Sequence, residues 1–316
     1  MTFLKDKNFT KMSGDASFRI FYRGKESILI FSKKNKQKNL LVYDSINKIL
    51  LKNKIFAPKL VSENYKKNYI EVEDLGDMQI LKLIKKSKTK VKIFKKIIKL
   101  LIKLQKIKKT KITDFNGGKY KVPYYSKKYI FDETNLFTKW FIPTYAKKLN
   151  NSYNKKKFKH IVNKLISNLK LSNKIFVHRD FHISNIMFYK KKLYLLDSQD
   201  AVVGNIAYDL ASLIDDVRFK TTDKLKKEIY SYYIKKNLNK FNIDYFKNDF
   251  DILSVLRNFK ILGIFTRLAK RDNKKKYLKM LPYCWDLIKS RIDNREIFDE
   301  LKIFLRKKEF KKYIIL

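Results

Sequence analysis

One polar loop between two apolar segments constrains this chain more than any other feature. The loop carries His-Arg-Asp, ending at Asp180, with Asn185 five residues later, and Asp197 follows twelve residues after the asparagine. The flanking segments, 174–177 and 192–196, are apolar and predict two short strands. An aspartate and an asparagine at this spacing are typical of phosphoryl-transfer sites. We therefore expect the three side chains to converge, in preference to a surface turn with incidental polar residues.

The residue types at these positions suit that chemistry. A carboxylate at Asp180 can accept the proton of an attacking hydroxyl group, which makes it the predicted catalytic base. Asn185 and Asp197 both offer oxygen atoms, the ligands that a hard cation such as Mg²⁺ requires. The pattern thus predicts ATP and Mg²⁺ as cofactors, with Asn185 and Asp197 as the metal ligands.

The net charge of +45 over 316 residues allows two explanations. Counterion release from a nucleic acid or an anionic membrane is one. A biased composition is the other, because Lys, Ile, Asn, Phe and Tyr are abundant whereas Gly and Pro, with GC-rich codons, are scarce. The lysines are spread along the whole chain, so we favour biased composition. No specific nucleic-acid partner is expected, although weak electrostatic binding at low salt would be compatible with this charge.

The expected compartment is the cytoplasm. The N-terminal residues contain no apolar run of signal-peptide length, and no segment has the ~18 apolar residues of a spanning helix. The single cysteine, Cys284, cannot form an internal disulfide, which fits a reducing environment. With three histidines and one cysteine, a zinc site is not expected.

The pattern of strands and helices predicts an α+β chain in two parts. Strand-like segments and one helix, at 40–51, occupy residues 1–76, and Asp74-Leu75-Gly76-Asp77 is a natural break. Apolar residues at helical spacing dominate 77–316, whereas 110–123, with Gly117-Gly118, is expected to be a loop. We predict a small antiparallel-sheet N-lobe (1–76) that binds nucleotide and a larger, mainly helical C-lobe (77–316) with the catalytic loop, the metal site and substrate-binding helices.

Six blocks of sequence resemble the aminoglycoside phosphotransferase superfamily, whose fold is protein-kinase-like and two-lobed. Within it they are similar to bacterial cell-wall kinases that phosphorylate N-acetylmuramate and N-acetylglucosamine at the anomeric position. The blocks are 13–19, 73–77, 178–187, 196–201, 208–213 and 257–268. The resemblance covers most of the chain, and the catalytic block is its most specific part.

The resemblance also implies a nucleotide site. Its loop over the phosphates would be Ser13, Gly14, Asp15, Ala16 and Ser17, where small residues and backbone N–H groups suit an anion. Glu73 and Leu75 lie in the segment that resembles the hinge between the lobes, which contacts adenine through backbone groups. One departure stands out, because kinases carry a phosphate-pairing lysine on the third strand. Segment 28–32 has none, and whether Lys33 or Lys34 replaces it cannot be assigned.

For the substrate, the sequence names candidates rather than a site. His182, Asp200 and Asp216 could contact a sugar, but we favour a loop-packing role for His182 and an exposed position on a helix for the two carboxylates. The function implied is an ATP-dependent anomeric sugar kinase that supplies a sugar 1-phosphate for peptidoglycan recycling. Two alternatives remain open: an aminoglycoside or amino-alcohol kinase of the same fold, and a non-catalytic basic nucleic-acid-binding protein on a kinase-like fold.

Overall fold

The computed structural model describes residues 9–12, 19–293 and 295–311 of the chain. The predicted phosphate loop, Ser13 to Ser17, lies outside the described residues. Two compact units are present, Met1–Pro123 with Ile175–Val203 and Tyr124–Lys174 with Gly204–Leu316. The predicted lobes differ from these units in extent, because 77–123 and 175–203 belong with the N-terminal sheet. The assignment of one lobe to nucleotide and the other to substrate stays a prediction.

A five-stranded antiparallel sheet forms the start of the first unit. Its order is β1-β2-β3-β5-β4. Gly24 turns the chain between β2 and β3, where its N–H donates to the carbonyl of Ser27 at 2.8 Å. The strands are β1 (Thr10–Lys11), β2 (Ile20–Arg23), β3 (Ser27–Phe31), β4 (Leu60–Asn64) and β5 (Tyr69–Glu73).

Three helices complete the N-terminal part of this unit: α1 (Lys38–Lys52), α2 (Ile80–Lys86) and α3 (Lys90–Leu104). Helix α1 buries Leu40 and Tyr43 against Ile30 of β3 and against β5. Along α3 the apolar residues recur every three or four positions, so they share one face of the helix. That face is buried through Phe94, Ile97, Ile98, Leu101 and Leu104.

Six short strands form three two-stranded sheets elsewhere in the chain. Strands β6 (Lys111–Thr113) and β7 (Lys119–Lys121) pair across the Gly117-Gly118 turn, in a segment expected to be a loop. The predicted strands around the polar loop are β8 (Ile175–Val177) and β10 (Lys192–Leu195). Strand β9 (Ile186–Tyr189) pairs with β10, and β11 (Val202–Gly204) pairs with β8.

The second unit is helical. Its helices are α4 (Lys127–Thr134), α5 (Ile142–Tyr145), α6 (Ser152–Ser167), α7 (Tyr208–Ile214), α8 (Asp223–Lys236), α9 (Ile243–Lys270), α10 (Leu281–Ile292), α11 (Asp299–Leu305) and α12 (Lys308–Lys311). Helix α9 is buried over most of its surface and forms the centre of this unit. Asn242 caps its start by accepting from the N–H of Tyr245 at 2.9 Å.

A close backbone approach fixes α9 against the π-helical turn at Phe137–Phe141. A Cβ on Gly263 would lie 2.3 Å from the carbonyl carbon of Leu136, so only glycine fits there. Together, the antiparallel sheet and the helical second unit confirm the predicted α+β class. Among the described residues, no helix combines the length and apolar character that a membrane span requires.

Candidate active site

The β9–β10 hairpin brings Asn185 and Asp197 together. Ile186 pairs with Leu195 in the hairpin, and the N–H of Leu196 donates to the carbonyl of Asn185 at 2.8 Å. Asn185 directly precedes β9, whereas Asp197 is the second residue after β10. Because the strands are antiparallel, the start of β9 and the end of β10 lie next to each other at the open end of the hairpin. Local pairing alone therefore brings the backbones of two of the three predicted site residues close together.

Hydrogen bonds within the loop tie Asp180 to Asn185. The side-chain Nδ2 of Asn185 donates to the carbonyl of Asp180 at 3.0 Å and lies 3.3 Å from Nε2 of His182. The N–H of His182 also donates to the carbonyl of Asp180 at 3.0 Å. Since the carbonyl requires a donor, these bonds fix which side-chain atom of Asn185 is nitrogen. Its amide oxygen is consequently the atom that can bind a cation.

Asp197 adopts a left-handed backbone conformation (φ 59°, ψ 40°), which aspartate tolerates better than most residues. Its side chain is 42% exposed, and Oδ1 accepts from Nη2 of Arg19 at 2.6 Å. The neighbouring Ser198 is fully buried, and its hydroxyl donates to Oδ1 of Asn47 at 2.7 Å. Helix α1 is thus attached to the turn that carries Asp197.

The donor set fits a magnesium ion. Asp197 and Asn185 supply one carboxylate and one amide oxygen, both on half-buried residues. Within the described ranges, no group of three or more His, Cys, Asp or Glu residues could hold a metal on its own. Mg²⁺ is commonly held by one or two protein oxygens, with phosphate and water oxygens completing the octahedron. The residues present therefore suit a metal that arrives with a phosphorylated ligand.

The two loop histidines are buried. Burial lowers the pKa of His178, whose ring packs edge-on against Phe181 with centroids 6.3 Å apart. A neutral, enclosed imidazole is suited to packing within the loop and not to proton transfer. His182 is buried beside Asn185. A role for His182 in substrate binding stays a prediction.

A polar network surrounds the turn after Asp197. The guanidinium of Arg179 donates to the carbonyl of Asp200 at 2.9 Å. Gln199 donates from Nε2 to Oδ2 of Asp200 at 3.0 Å and accepts at Oε1 from Arg19 at 3.0 Å. Asp200, a substrate candidate from the sequence, lies in this network with an exposed side chain.

The hinge segment is fixed by ion pairs and apolar packing. The guanidinium of Arg23 contacts Asp74 and Asp77, each at 2.8 Å. Gly76 takes a left-handed conformation (φ 68°). Leu75 is buried with Met187 and Tyr194 of the β9–β10 hairpin. The N–H of Glu73 donates to the carbonyl of Lys59 at 2.9 Å. An apolar surface thus adjoins the loop that carries the metal-binding candidates.

One candidate belongs to the second unit. Asp216 follows α7 and is buried, and its Oδ1 accepts from the N–H of Arg218 at 3.0 Å. Asp180, His182, Asn185, Asp197 and Asp200 all lie in the first unit.

The sequence missed Arg19, whose guanidinium is bound directly to the predicted metal ligand. A signal was available, since this lysine-rich chain uses few arginines and one of them follows the predicted phosphate loop. Lys33 and Lys34, the two lysines considered for the missing strand cation, are both exposed beyond the end of β3.

The fold and the loop define a phosphotransferase of the protein-kinase-like class. The chain belongs to the phosphotransferase enzyme family (APH), whose family model matches residues 8–241. Solved structures share the fold at low identity. An ethanolamine kinase of Plasmodium vivax superposes with a TM-score of 0.60 at 14% identity, covering 90% of this chain and 84% of that one. The ADP-bound aminoglycoside phosphotransferase APH(2'')-Ib gives 0.56 at 12%, covering 92% and 95%. The predicted fold is confirmed.

Curated relatives are more similar in sequence. N-acetylmuramate/N-acetylglucosamine kinase of Neisseria meningitidis serogroup B is 27% identical over 293 residues, covering 88% of this chain and 84% of that protein. The protein of the same name from Pseudomonas aeruginosa is 24% identical over 297 residues, covering 92% and 85%. The resemblance found in the sequence blocks is confirmed, and the chain is a kinase.

Proposed function

We propose that this chain phosphorylates N-acetylmuramate and N-acetylglucosamine at the anomeric hydroxyl group with ATP, releasing the sugar 1-phosphate for peptidoglycan recycling. The observation that carries the proposal is the shared name of the relatives, which match over most of both chains. The intact Asp180, Asn185 and Asp197 support an active enzyme rather than a relic fold. We place the reaction in the cytoplasm, where the reduced state of Cys284 is expected to persist.

In the proposed mechanism, Asp180 orients the sugar hydroxyl and accepts its proton. The sugar oxygen forms a bond to the γ-phosphorus while the bond from that phosphorus to the bridging oxygen of ADP breaks. ADP leaves with the electron pair of the broken bond, and the proton stays on the carboxyl group of Asp180. An anomeric hydroxyl is more acidic than an ordinary alcohol, so a carboxylate base is sufficient.

Asn185 and Asp197 would hold Mg²⁺, which would supply positive charge to neutralise the nucleotide phosphates. The hydrogen bond from Asn185 to the Asp180 carbonyl links the metal ligand and the base on one loop. This link would hold the loop residue that binds the sugar hydroxyl, Asp180, at a fixed position relative to the nucleotide phosphates. Such positioning is a main contribution of a protein to phosphoryl transfer.

The remaining contacts proposed concern nucleotide and sugar. Residues 13–17 would cover the phosphates, and the backbone of Glu73 and Leu75 would meet adenine over the apolar surface at Met187. His182, Asp200 and Asp216 remain candidates for sugar hydroxyl groups. We propose no specific nucleic-acid partner.

The test is to incubate the purified protein with Mg²⁺-ATP and a panel of acceptors. The panel contains N-acetylmuramate, N-acetylglucosamine, other hexoses, an aminoglycoside and ethanolamine. We expect transfer to the two N-acetyl sugars. Asp180→Asn should lower turnover by about 100- to 10,000-fold, the usual contribution of a general base.

Asp132→Asn is the matched control, because Asp132 is a half-exposed carboxylate on α4 that pairs with Lys128 at 2.7 Å. It should leave turnover unchanged. Transfer to ethanolamine or an aminoglycoside but to no sugar would contradict the proposed substrate. Full activity of Asp180→Asn would contradict the proposed base.

A further inference from the structure

A kinase-like phosphate site needs a cation that pairs with the nucleotide phosphates, and the usual source is a lysine on the third strand. Strand β3 reads Ser-Ile-Leu-Ile-Phe and supplies none. Lys33 and Lys34 follow it but are exposed. Their long side chains would lose considerable conformational entropy on being fixed at a phosphate. A cation that is already held in place on another element would avoid that cost.

Arg19 lies next to the end of β3, where the lysines Lys33 and Lys34 follow. It immediately precedes β2, whose first residue, Ile20, pairs with Phe31 at the end of β3. Its side chain is 3% exposed, so the guanidinium is held within the protein. The group lies over the rings of Phe21 and Tyr43, at 5.5 and 5.3 Å from their centroids. Two aromatic faces thus fix the plane of the guanidinium.

The polar contacts of Arg19 direct it to the metal site. Nη2 donates to Oδ1 of Asp197 at 2.6 Å, and Nη1 donates to Oε1 of Gln199 at 3.0 Å. A group bonded to the metal-binding carboxylate is adjacent to the phosphates that the same metal binds. The sequence points the same way, because the predicted phosphate loop ends at Ser17, two residues before Arg19.

The chemistry of the side chain suits an anionic ligand of this kind. The forked guanidinium matches phosphate geometry and can donate two parallel hydrogen bonds to phosphate oxygens.

We propose that Arg19 takes the place of the strand lysine: its guanidinium binds the nucleotide phosphates and positions Asp197 for the metal. This inference rests on the proposed function, since it concerns the same nucleotide site. The phosphate-binding residue then precedes β2 instead of lying on β3. The ring of Tyr43 on α1 supports its guanidinium group.

The experiment measures the affinity of ADP and of adenosine by calorimetry, without any sugar present, for the unaltered protein, Arg19→Gln and Arg19→Lys. Adenosine has no phosphates, so it reports on the adenine pocket alone. We expect Arg19→Gln to weaken ADP binding by about 10- to 100-fold, the effect of one or two charge-assisted hydrogen bonds. Arg19→Lys, which keeps the charge but loses the fork, should lie between. Adenosine affinity should be unchanged in both.

Arg271→Gln serves as the control, because Arg271 is an exposed arginine paired with Asp272 at 2.7 Å in the second unit. It should bind ADP as the unaltered protein does. An equal loss of ADP and adenosine affinity in the Arg19 variants would reduce Arg19 to a structural role and overturn the proposal. Unchanged ADP affinity in Arg19→Gln would overturn it as well. Those results leave the proposed function standing, whereas failure of the unaltered protein to bind ADP would refute both.

Discussion

The hydrogen bond between Asn47 and Ser198 offers a quantitative test of how α1 is attached to the metal-binding turn. Asn47 is buried on α1 and uses both ends of its amide. Oδ1 accepts from the Ser198 hydroxyl at 2.7 Å, and Nδ2 donates to the carbonyl of Pro58 at 3.1 Å. Asn47→Ala removes both bonds and leaves the fully buried Ser198 hydroxyl without this acceptor.

The magnitude follows from these contacts. Each hydrogen bond contributes about 0.5–1.5 kcal/mol net, and a buried polar group left unsatisfied costs about 1–3 kcal/mol. Asn47→Ala should therefore lower the free energy of unfolding by about 2–6 kcal/mol. Ser198→Ala removes one bond and should cost about 1–2 kcal/mol. In the double variant the shared bond is lost only once, so the combined cost should fall short of the sum by about 1 kcal/mol.

The assay is urea denaturation followed by circular dichroism at 222 nm for the four proteins of this cycle. Asn116→Ala, in the exposed turn between β6 and β7, is the control and should change stability by less than about 0.5 kcal/mol. If the two single effects added to within about 0.3 kcal/mol, Asn47 and Ser198 would not be coupled. The attachment of α1 to the turn of Asp197 would then be refuted.

Three further outcomes are expected. Gly263→Ala should destabilise the protein by about 1–3 kcal/mol or more, because the new Cβ would lie 2.3 Å from the backbone of Leu136. In most helices the same change is stabilising, because alanine has the higher helix propensity. An increase in melting temperature would therefore contradict that close approach. Asp215→Ala should cost about 3–5 kcal/mol in urea denaturation, because it removes the buried carboxylate that Arg291 contacts at 2.9 and 3.1 Å and leaves that guanidinium with the longer contact to Asp251 at 3.9 Å. A loss below about 1 kcal/mol, the size of a surface ion pair, would contradict this reasoning. The unfolded chain protonates His178 near the ordinary pKa of 6.5, whereas burial lowers the pKa in the folded state. Stability from this group is therefore complete above pH 6.5 and is lost as the pH falls below it; melting temperatures between pH 7.5 and 5 should fall less steeply in His178→Gln, and an unchanged slope would contradict a buried neutral ring.

Local patterns made much of the fold predictable. The helix predicted at 40–51 is observed at Lys38–Lys52, and the strand-like segments around the polar loop are β8 and β10. The loop motif could be read because Asp180 and Asn185 are close in sequence, and Asp197 follows a hairpin whose pairing is itself local. Alternation of apolar residues and the spacing of polar ones carry this information directly.

Features that depend on distant contacts could not be read in this way. The strands β6 and β7 are three residues long and lie in a segment that reads as a loop. Arg19 contacts Asp197 across 178 positions of sequence, a pairing that no periodicity encodes. The compact units are discontinuous for the same reason, because segment 175–203 joins the N-terminal part of the chain in one unit only in three dimensions.

The most direct test of the central claim is the position of the transferred phosphate. N-acetylglucosamine labelled with ¹³C at carbon 1 is incubated with the enzyme and Mg²⁺-ATP, and the product is examined by phosphorus NMR. We expect a new phosphomonoester signal split by coupling to the labelled carbon, absent in Asp180→Asn. A phosphomonoester signal without that splitting would place the phosphate on another hydroxyl group, and no new signal with either N-acetyl sugar would contradict the proposed function.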